Sequence, residues 1–373
     1  MKKNKVHIID QTMREGMLFH GMIFSLEERK TMLDFQETLG IEISQVAYPI
    51  AHPFELDIFN KLVEYAAKKK YQIQIAGHAR ALTDDVQGMI QAGGQSYHLH
   101  TGVNPVMLQR LGLDKVANHL EQTVTAIRKA HSKACIKTSL LDVAHSESDK
   151  LAQLIHFMSH ELNIDIITLP DTSGAMLPED YAALISQACQ IIKGSDSQVA
   201  VHCHNDLGLA CANSLAGIEF GATVVEVSVL GIGERNGIAD LATMGQILKK
   251  AGHEISIGKM ENQEILQSYY QYVNGLIEKK TGLTCIHYET PIWGQAVSTM
   301  GAGSHGIAEY GIKPSTQFFI NHMCGRSMVK RYLDSKNIHY DESALPQLVQ
   351  RIKTVSVEKQ CSLTAEEIEA LIQ

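Results

Sequence analysis

The sequence lacks any closely spaced pair of cysteines, although seven cysteines are scattered over its 373 residues. The odd number and the absence of a Cys-X-X-Cys pair argue against a disulfide scaffold and against a cysteine-rich zinc site. We therefore expect the chain to work in a reducing compartment. The cysteines are Cys135, Cys189, Cys203, Cys211, Cys285, Cys324 and Cys361.

Long hydrophobic runs and an excess of positive charge are also absent. No segment approaches the ~20 apolar residues that span a membrane, and the apolar run before Asp10 is too short for the core of a signal peptide. The formal net charge is −8, whereas proteins that bind nucleic acids usually carry a basic surface that neutralises phosphates. These absences predict a cytoplasmic protein whose partners include neither a membrane nor a nucleic acid.

The sequence does contain a regular alternation of predicted strands and helices. Helical periodicity is clear over Ser25–Leu39 and Pro178–Lys193. Strands that alternate with helices indicate a parallel β/α fold, either an open doubly wound sheet or a closed barrel. The predicted strands are Lys5–Thr12, Glu42–Pro49, Tyr71–Ala79, Ser96–Gly102, Ala134–Asp142, Ile164–Pro170, Gln198–Asp206 and Val224–Gly231.

The positions of the polar residues favour the barrel. Polar clusters lie at or just after the ends of the first, sixth, seventh and eighth predicted strands, at residues 14–15, 171–172, 202–206 and 231–237. In a (β/α)8 TIM barrel, functional residues gather at the C-terminal ends of several different strands. We therefore predict a TIM-barrel catalytic domain over residues 1–259. The remaining residues, 260–373, are predicted to form a C-terminal helical appendage that packs on the barrel or on a partner subunit.

Two histidines near the end of the seventh strand are the strongest local signal. His202 and His204 are two residues apart, so their side chains lie on the same face of a strand and can share a divalent metal. Glu15 would supply a third ligand from the first strand, and Arg14 beside it can stabilise a carbonyl or an oxyanion. Two alternatives stay open: hydrogen-bonded rim histidines without a metal, and a structural ion pair between Asp10 and Arg14.

The glycine-rich run at residues 231–237 only superficially resembles a dinucleotide-binding motif. Its third glycine comes one position late, and the run lies near the end of the alternation, whereas the nucleotide motif follows the first strand. Glycines here are better explained by a loop that approaches a ligand closely.

Three separated segments together resemble the DRE-TIM metallolyase superfamily. They are Asp10-Gln-Thr-Met-Arg-Glu-Gly16, His202-Cys-His-Asn-Asp206 and Val227-Ser-Val-Leu-Gly-Ile-Gly-Glu-Arg-Asn-Gly237, and they occur in the same order as in that superfamily. Within it, the chain is most similar to the homocitrate synthase and 2-isopropylmalate synthase family. The resemblance covers nearly the whole chain and includes the segment around His305.

This resemblance implies a Claisen-type condensation of acetyl-CoA, or a related acyl-CoA, with a 2-oxo acid. Glu15, His202 and His204 would hold one divalent ion, for which zinc, manganese and magnesium all stay open. Arg14 would stabilise the oxyanion, and His305 would act as an acid or base over the barrel mouth. An exposed loop histidine is the alternative for His305.

The resemblance also implies the residues that contact the substrates, and it implies a homodimer. Arg14, Arg80, Lys137 and Thr172 are the candidates for binding the 2-oxo acid. The candidates for binding CoA are Gly233, Glu234, Arg235 and Asn236. The C-terminal appendage would form a lid or the dimer contact.

Several positions depart from the family pattern, and most of the changes remove charge or polarity. The family glutamate after the fifth strand is Leu141, and the neighbouring Asp142 can replace it only if the strand end bends. A distal carboxylate on the substrate would then lack a positively charged partner, which favours a 2-oxo acid with a small or apolar side chain. The exception is a pocket in which Lys137 or the histidines at positions 78, 98 and 100 restore positive charge. The other departures are Leu18, Gln45, Leu82 and Gln317.

Two further functions stay open. One is a metal-dependent lyase that cleaves a carbon–carbon bond, as hydroxymethylglutaryl-CoA lyase does. The other is a catalytically inactive barrel that binds a metabolite. The long appendage argues against the lyase, and the retained ligands together with Arg14 argue against the inactive barrel.

Overall fold

The computed structural model describes residues 5–257, 262–300 and 316–372. The chain divides into two compact units, Met1–Thr284 and Cys285–Gln373. The first unit therefore includes the helix Gln263–Thr281, which begins after the strand alternation has ended. None of the helices in the described ranges is long and apolar enough to cross a membrane.

The first unit is a closed barrel of eight parallel strands. Strand β1 pairs with both β2 and β8, which closes the sheet, and the other strands pair in sequence order. The predicted TIM barrel is therefore confirmed. The strands are β1 (Lys5–Asp10), β2 (Ile43–Ala47), β3 (Gln74–Arg80), β4 (Ser96–Gly102), β5 (Cys135–Leu141), β6 (Ile166–Asp171), β7 (Gln198–Cys203) and β8 (Val224–Val227), with a short β9 (Glu254–Ile255) beside β1.

Helices connect the strands, and their ends follow from the local sequence. Helix α2 begins after Ser25, whose side chain and that of Glu28 form a capping box, and it ends at Gly40 with a positive φ of 82°. The helices of this unit are α1 (Thr12–Glu15), α2 (Leu26–Leu39), α3 (Pro53–Lys69), α4 (Thr83–Gln91), α5 (Pro105–Leu111), α6 (Leu113–Ala130), α7 (Ser148–His156), α8 (Pro178–Ile191), α9 (Ala210–Glu219), α10 (Leu241–Ala251) and α11 (Gln263–Thr281).

A layer of apolar side chains fills the lower part of the barrel. Ile9, Ile166, Ala200 and Val224 are buried together there, with Ile43 and Cys135 packed against them. Successive side chains of a strand alternate between its two faces, so the residue two positions later also points inward. The inward positions above this apolar floor are polar, namely Gln45, Lys137, Thr168, His202 and Glu226. The barrel therefore has an apolar base and a polar upper interior.

The second unit has its own small core. Helices α12 (Arg326–Ser335), α13 (Leu345–Lys359) and α14 (Ala365–Ile372) contribute most of the buried side chains, and the short strands β10 (Thr299–Met300) and β11 (Gln317–Phe318) pair in parallel. Thr364 and Glu367 exchange hydrogen bonds at the start of α14, which is a capping box.

Candidate metal centre and active site

The structure brings Glu15, His202 and His204 together at the upper end of the barrel. Glu15 lies in α1, directly after β1, while His202 is in β7 and His204 follows it. One possible ligand atom from each side chain lies within 4.8 Å of the other two, and all three residues are buried. This is the one such cluster of histidine, cysteine and acidic residues in the described parts of the chain.

The donor atoms of this cluster fit a divalent metal. Nε2 of His202 and Nε2 of His204 are 3.3 Å apart, so two imidazole nitrogens face each other beside a carboxylate. Two nitrogens and one oxygen form the three-ligand set of many catalytic metal sites, in which the remaining positions bind water or substrate. The residues present therefore suit such an ion.

The protonation states of the cluster also suit a cation. Burial disfavours the charged form of Glu15, but the Arg14 guanidinium and the two imidazoles outweigh burial and hold the pKa of Glu15 below its usual value. Burial, reinforced by His202, lowers the pKa of His204 to about 4. At neutral pH the cluster therefore offers an ionised carboxylate and a neutral imidazole at position 204, both of which are metal-binding forms.

Arg14 is held beside this cluster by three hydrogen-bonding partners. Its Nη1 is 2.5 Å from a carboxylate oxygen of Glu15, its Nε donates to Gln45 Oε1 at 2.6 Å, and its Nη2 donates to Gln11 Oε1 at 3.3 Å. The alternative ion pair between Asp10 and Arg14 is not formed, because Asp10 accepts hydrogen bonds from Thr12 and from the Tyr269 hydroxyl. The Arg14 guanidinium is thus held next to the carboxylate of Glu15, at the candidate metal site.

A buried carboxylate on β8, Glu226, is the residue that the sequence analysis missed. It accepts hydrogen bonds from Lys137 Nζ at 2.5 Å, Thr168 Oγ1 at 2.8 Å, His202 Nδ1 at 2.9 Å and also from Gln11 Nε2. Burial opposes its ionisation, but Lys137 and His202 hold its pKa well below the usual range. The signal was present in the sequence, because a charged residue two positions after Val224 interrupts an apolar strand.

Three neutral histidines form the wall of the barrel opposite β7 and β8. The rings of His78 and His100 are stacked with their centroids 4.5 Å apart, and the Gln45 amide donates to His98 Nδ1 at 2.8 Å. Burial, with the positive charges of Arg14 and Lys137, holds the pKa values of His78 and His98 well below their usual value, and burial lowers that of His100 to about 4. These histidines therefore add no positive charge at neutral pH.

A cavity of about 890 Å³ opens above the cluster. Of the candidate residues, it is lined by Arg14, Glu15, Thr172, His202, His204, Glu234 and Arg235. Much of the remaining lining is apolar and comes mainly from the segments after β1 and β2 and from the end of β5. These apolar residues are Met17, Leu18, Met22, Ile23, Ala51, Phe54 and Leu141.

Two of the candidate substrate-binding residues lie away from the cavity. Lys137 is 1% exposed and is paired with Glu226, which lines the cavity. Arg80 donates to Asp85 at 2.7 Å, and its side chain is 55% exposed. Neither is among the residues that line the cavity.

Asp142 does not replace the family glutamate at position 141. Its backbone has a positive φ of 63°, which turns the side chain away from the strand. Its carboxylate accepts hydrogen bonds from His145 at 2.7 Å and from Asn104 at 3.1 Å, whereas Leu141 lines the cavity. The Asp142 backbone N–H donates to Thr172 Oγ1 at 2.9 Å, so this residue positions Thr172.

The loop after β8 packs against Glu15, one of the three side chains of the candidate metal site. A Cβ atom at Gly233 would lie 2.9 Å from the Glu15 side chain, so this close approach requires glycine. The Glu234 backbone N–H lies 3.3 Å from Glu15 Oε1, and Arg235 donates to Asp206 at 2.7 and 2.8 Å. Asn236 continues the loop and is exposed, and His305 lies outside the described residues.

Comparisons with known proteins agree with this architecture. A family model described as HMGL-like matches residues 5–268. The probable 2-isopropylmalate synthase of Methanopyrus kandleri is 27% identical over 94% of this chain and 70% of its own length, and the homocitrate synthase of Pyrococcus horikoshii is 28% identical over 93% of this chain and 94% of its own. The solved hydroxymethylglutaryl-CoA lyase of Pseudomonas aeruginosa superposes with a TM-score of 0.62 at 15% identity, covering 76% of this chain and 97% of the lyase. That structural likeness concerns the fold alone.

Proposed function

Because the chain belongs to the HMGL-like family, we propose that it is a metal-dependent enzyme that condenses acetyl-CoA, or a related acyl-CoA, with a 2-oxo acid. The observation that carries the proposal is the convergence of Glu15, His202 and His204 in one cavity with Arg14 beside them. The names of the curated relatives, homocitrate synthase and 2-isopropylmalate synthase, support the same class of reaction.

The residues around the cavity match the requirements of this reaction. A divalent cation on Glu15, His202 and His204 would supply Lewis-acid polarisation of the ketone. Arg14 would donate hydrogen bonds to the negative charge that develops on the ketone oxygen as the new carbon–carbon bond forms. Thr172, whose side chain lines the cavity, would bind the carboxylate next to the ketone.

The remaining steps need a base and a binding site for CoA. A base must take a proton from the acyl methyl group. The deprotonated carbon then attacks the ketone carbon, and water hydrolyses the thioester to free the CoA thiol. We assign the acid–base role to His305 on the family resemblance. We assign CoA binding to the loop that contains Gly233, Glu234, Arg235 and Asn236, since two of its side chains line the cavity.

The family resemblance supports three further assignments for the whole protein. We propose that it works in the cytoplasm as a homodimer. We also propose that the region from residue 260 to residue 373 contributes the lid or the dimer contact.

The charges around the cavity favour a 2-oxo acid with an uncharged side chain. Each basic residue among the candidates for binding the 2-oxo acid or CoA already has an acidic partner, and the three wall histidines are neutral. A second carboxylate would therefore be buried without a matching cation, which costs several kcal/mol. The pairs are Arg14 with Glu15, Arg80 with Asp85, Lys137 with Glu226 and Arg235 with Asp206.

This assignment predicts a strong preference among 2-oxo acids. The metal-loaded protein is expected to release CoA thiol from acetyl-CoA with 3-methyl-2-oxobutanoate or 4-methyl-2-oxopentanoate. We expect kcat/KM for 2-oxoglutarate to be roughly 100-fold lower, because an unpaired buried carboxylate costs about 3 kcal/mol or more. Thiol release measured across this panel checks the prediction.

Each outcome of the panel has a distinct meaning. Equal or faster reaction with 2-oxoglutarate contradicts the proposed side-chain preference but not the condensation. No thiol release with any 2-oxo acid contradicts the condensation itself. The matched pair of variants Leu141→Arg and Leu141→Met tests the cause, since only the arginine is expected to raise kcat/KM for 2-oxoglutarate.

A further inference from the structure

His202 belongs to the cluster of Glu15, His202 and His204, and a residue outside that cluster sets its orientation. Its Nε2 faces His204, while its other ring nitrogen, Nδ1, lies 2.9 Å from a carboxylate oxygen of Glu226. A carboxylate at this distance accepts the Nδ1 proton, so it stabilises the tautomer in which Nε2 carries the lone pair. A metal-binding imidazole must present such a lone pair.

Glu226 is itself rigidly held. One of its carboxylate oxygens accepts from Lys137 and Thr168, and the other accepts from His202 and Gln11. The side chain is 1% exposed, so water does not compete for these hydrogen bonds. Four donors from four different strands or loops therefore leave the carboxylate with a single arrangement.

The same carboxylate is linked to Arg14. Gln11 donates through Nε2 to Glu226 and accepts through Oε1 from Arg14 Nη2 at 3.3 Å. One buried group on β8 thus connects a metal ligand on β7 with the guanidinium after β1. The other histidine of the cluster differs, because Nδ1 of His204 is buried and has no hydrogen-bond partner among the described residues.

We propose that Glu226 is a positioning residue for the metal centre: it fixes the tautomer and the ring orientation of His202 and, through Gln11, the position of Arg14. This inference rests on the metal site of the proposed function and adds a residue that none of the sequence motifs contained. Groups that orient a metal-binding histidine in this way typically change metal affinity by 10–100-fold when they are removed.

The test uses variants that avoid leaving a buried charge without a partner. Lys137→Met/Glu226→Leu replaces the whole ion pair by apolar groups of similar size. Lys137→Met/Glu226→Gln keeps a carbonyl oxygen that can accept a hydrogen bond from His202. Thr168→Val serves as the control, because it removes the hydrogen bond that Thr168 donates to Glu226 and leaves His202 unchanged. The readouts are the dissociation constant for zinc, measured by competition with a chelator, and the visible absorption spectrum of the cobalt-substituted protein.

We expect the leucine double variant to bind zinc about 10–100-fold more weakly than the unmodified protein, with an altered cobalt spectrum. The glutamine double variant should recover part of the affinity, and Thr168→Val should stay within about threefold of the unmodified protein. Equal zinc affinities and identical cobalt spectra in all four proteins would overturn the proposal. A stability loss alone, without a change in these two readouts, would assign Glu226 a purely structural role and overturn it as well.

A measurement on the unmodified protein covers the case in which a double variant does not fold. Nitrogen-15 NMR of the metal-free protein, with the His202 signals identified from their loss in His202→Gln, is expected to show Nδ1 protonated and Nε2 unprotonated. The opposite tautomer overturns the proposal. An unmodified protein that binds no zinc contradicts the metal site itself, which separates failure of the proposed function from failure of this inference.

Discussion

Replacing Glu15 with glutamine is expected to remove the bound metal and to lower the rate of CoA release by roughly 1,000-fold or more. The amide has nearly the same shape as the carboxylate, but it carries no charge to offset that of a divalent cation. Lewis-acid polarisation of the ketone is worth several kcal/mol, and each 1.36 kcal/mol corresponds to tenfold in rate. Metal content per chain and the rate of thiol release are measured on the same preparation.

A second carboxylate provides the control for this substitution. Glu64 is exposed on α3, on the outside of the barrel, so Glu64→Gln should retain both metal and activity. If Glu15→Gln still binds one equivalent of metal and releases thiol at the rate of the control, Glu15 is not a ligand. Loss of activity with full metal content would instead assign Glu15 a role in the reaction without a role in binding the ion.

Replacing Lys137 alone with methionine is expected to lower the free energy of unfolding by about 3–5 kcal/mol, because it leaves the Glu226 carboxylate buried without its cationic partner. Both side chains of this pair are 1% exposed, and their charged atoms are 2.5 Å apart. The double variant Lys137→Met/Glu226→Leu should regain most of this stability, since apolar groups of similar volume often replace a buried ion pair at little cost. Urea unfolding followed by far-ultraviolet circular dichroism measures both effects.

An exposed ion pair gives the comparison for Lys137. Lys61 and Asp57 lie one turn apart on α3, with their charged atoms 2.7 Å apart and about half of each side chain exposed. Lys61→Met should therefore change the free energy of unfolding by less than about 1 kcal/mol. If Lys137→Met is no more destabilising than Lys61→Met, the buried pair does not have the role described here.

The barrel and the convergence of the cluster could be predicted from the sequence because both depend on simple local rules. Alternation of strands and helices indicates a parallel β/α fold, and the strand ends of a barrel share one rim. The two-residue period of a strand places His202 above Ala200 on the inner face, and the rim rule places Glu15 near it. The prediction needed no knowledge of which side chains face each other across the barrel.

The hydrogen-bonding partners inside the barrel could not be predicted, because they join residues far apart in sequence. Lys137 was expected at the substrate, but it is buried in an ion pair with Glu226 from β8 and is not among the residues that line the cavity. Arg80 was assigned to the same task, yet Asp85 in the following helix binds it. Whether His78, His98 and His100 carry charge also depends on burial, which the sequence does not show directly. The structure thus changes the expected chemistry of the cavity more than its location.

Anomalous X-ray diffraction from crystals grown with zinc tests the central claim most directly. With data collected on both sides of the zinc absorption edge, we expect one strong peak within about 2.0–2.2 Å of a Glu15 carboxylate oxygen and of Nε2 in both His202 and His204. A peak that contacts other residues, or no peak between these three side chains at saturating zinc, would contradict the account.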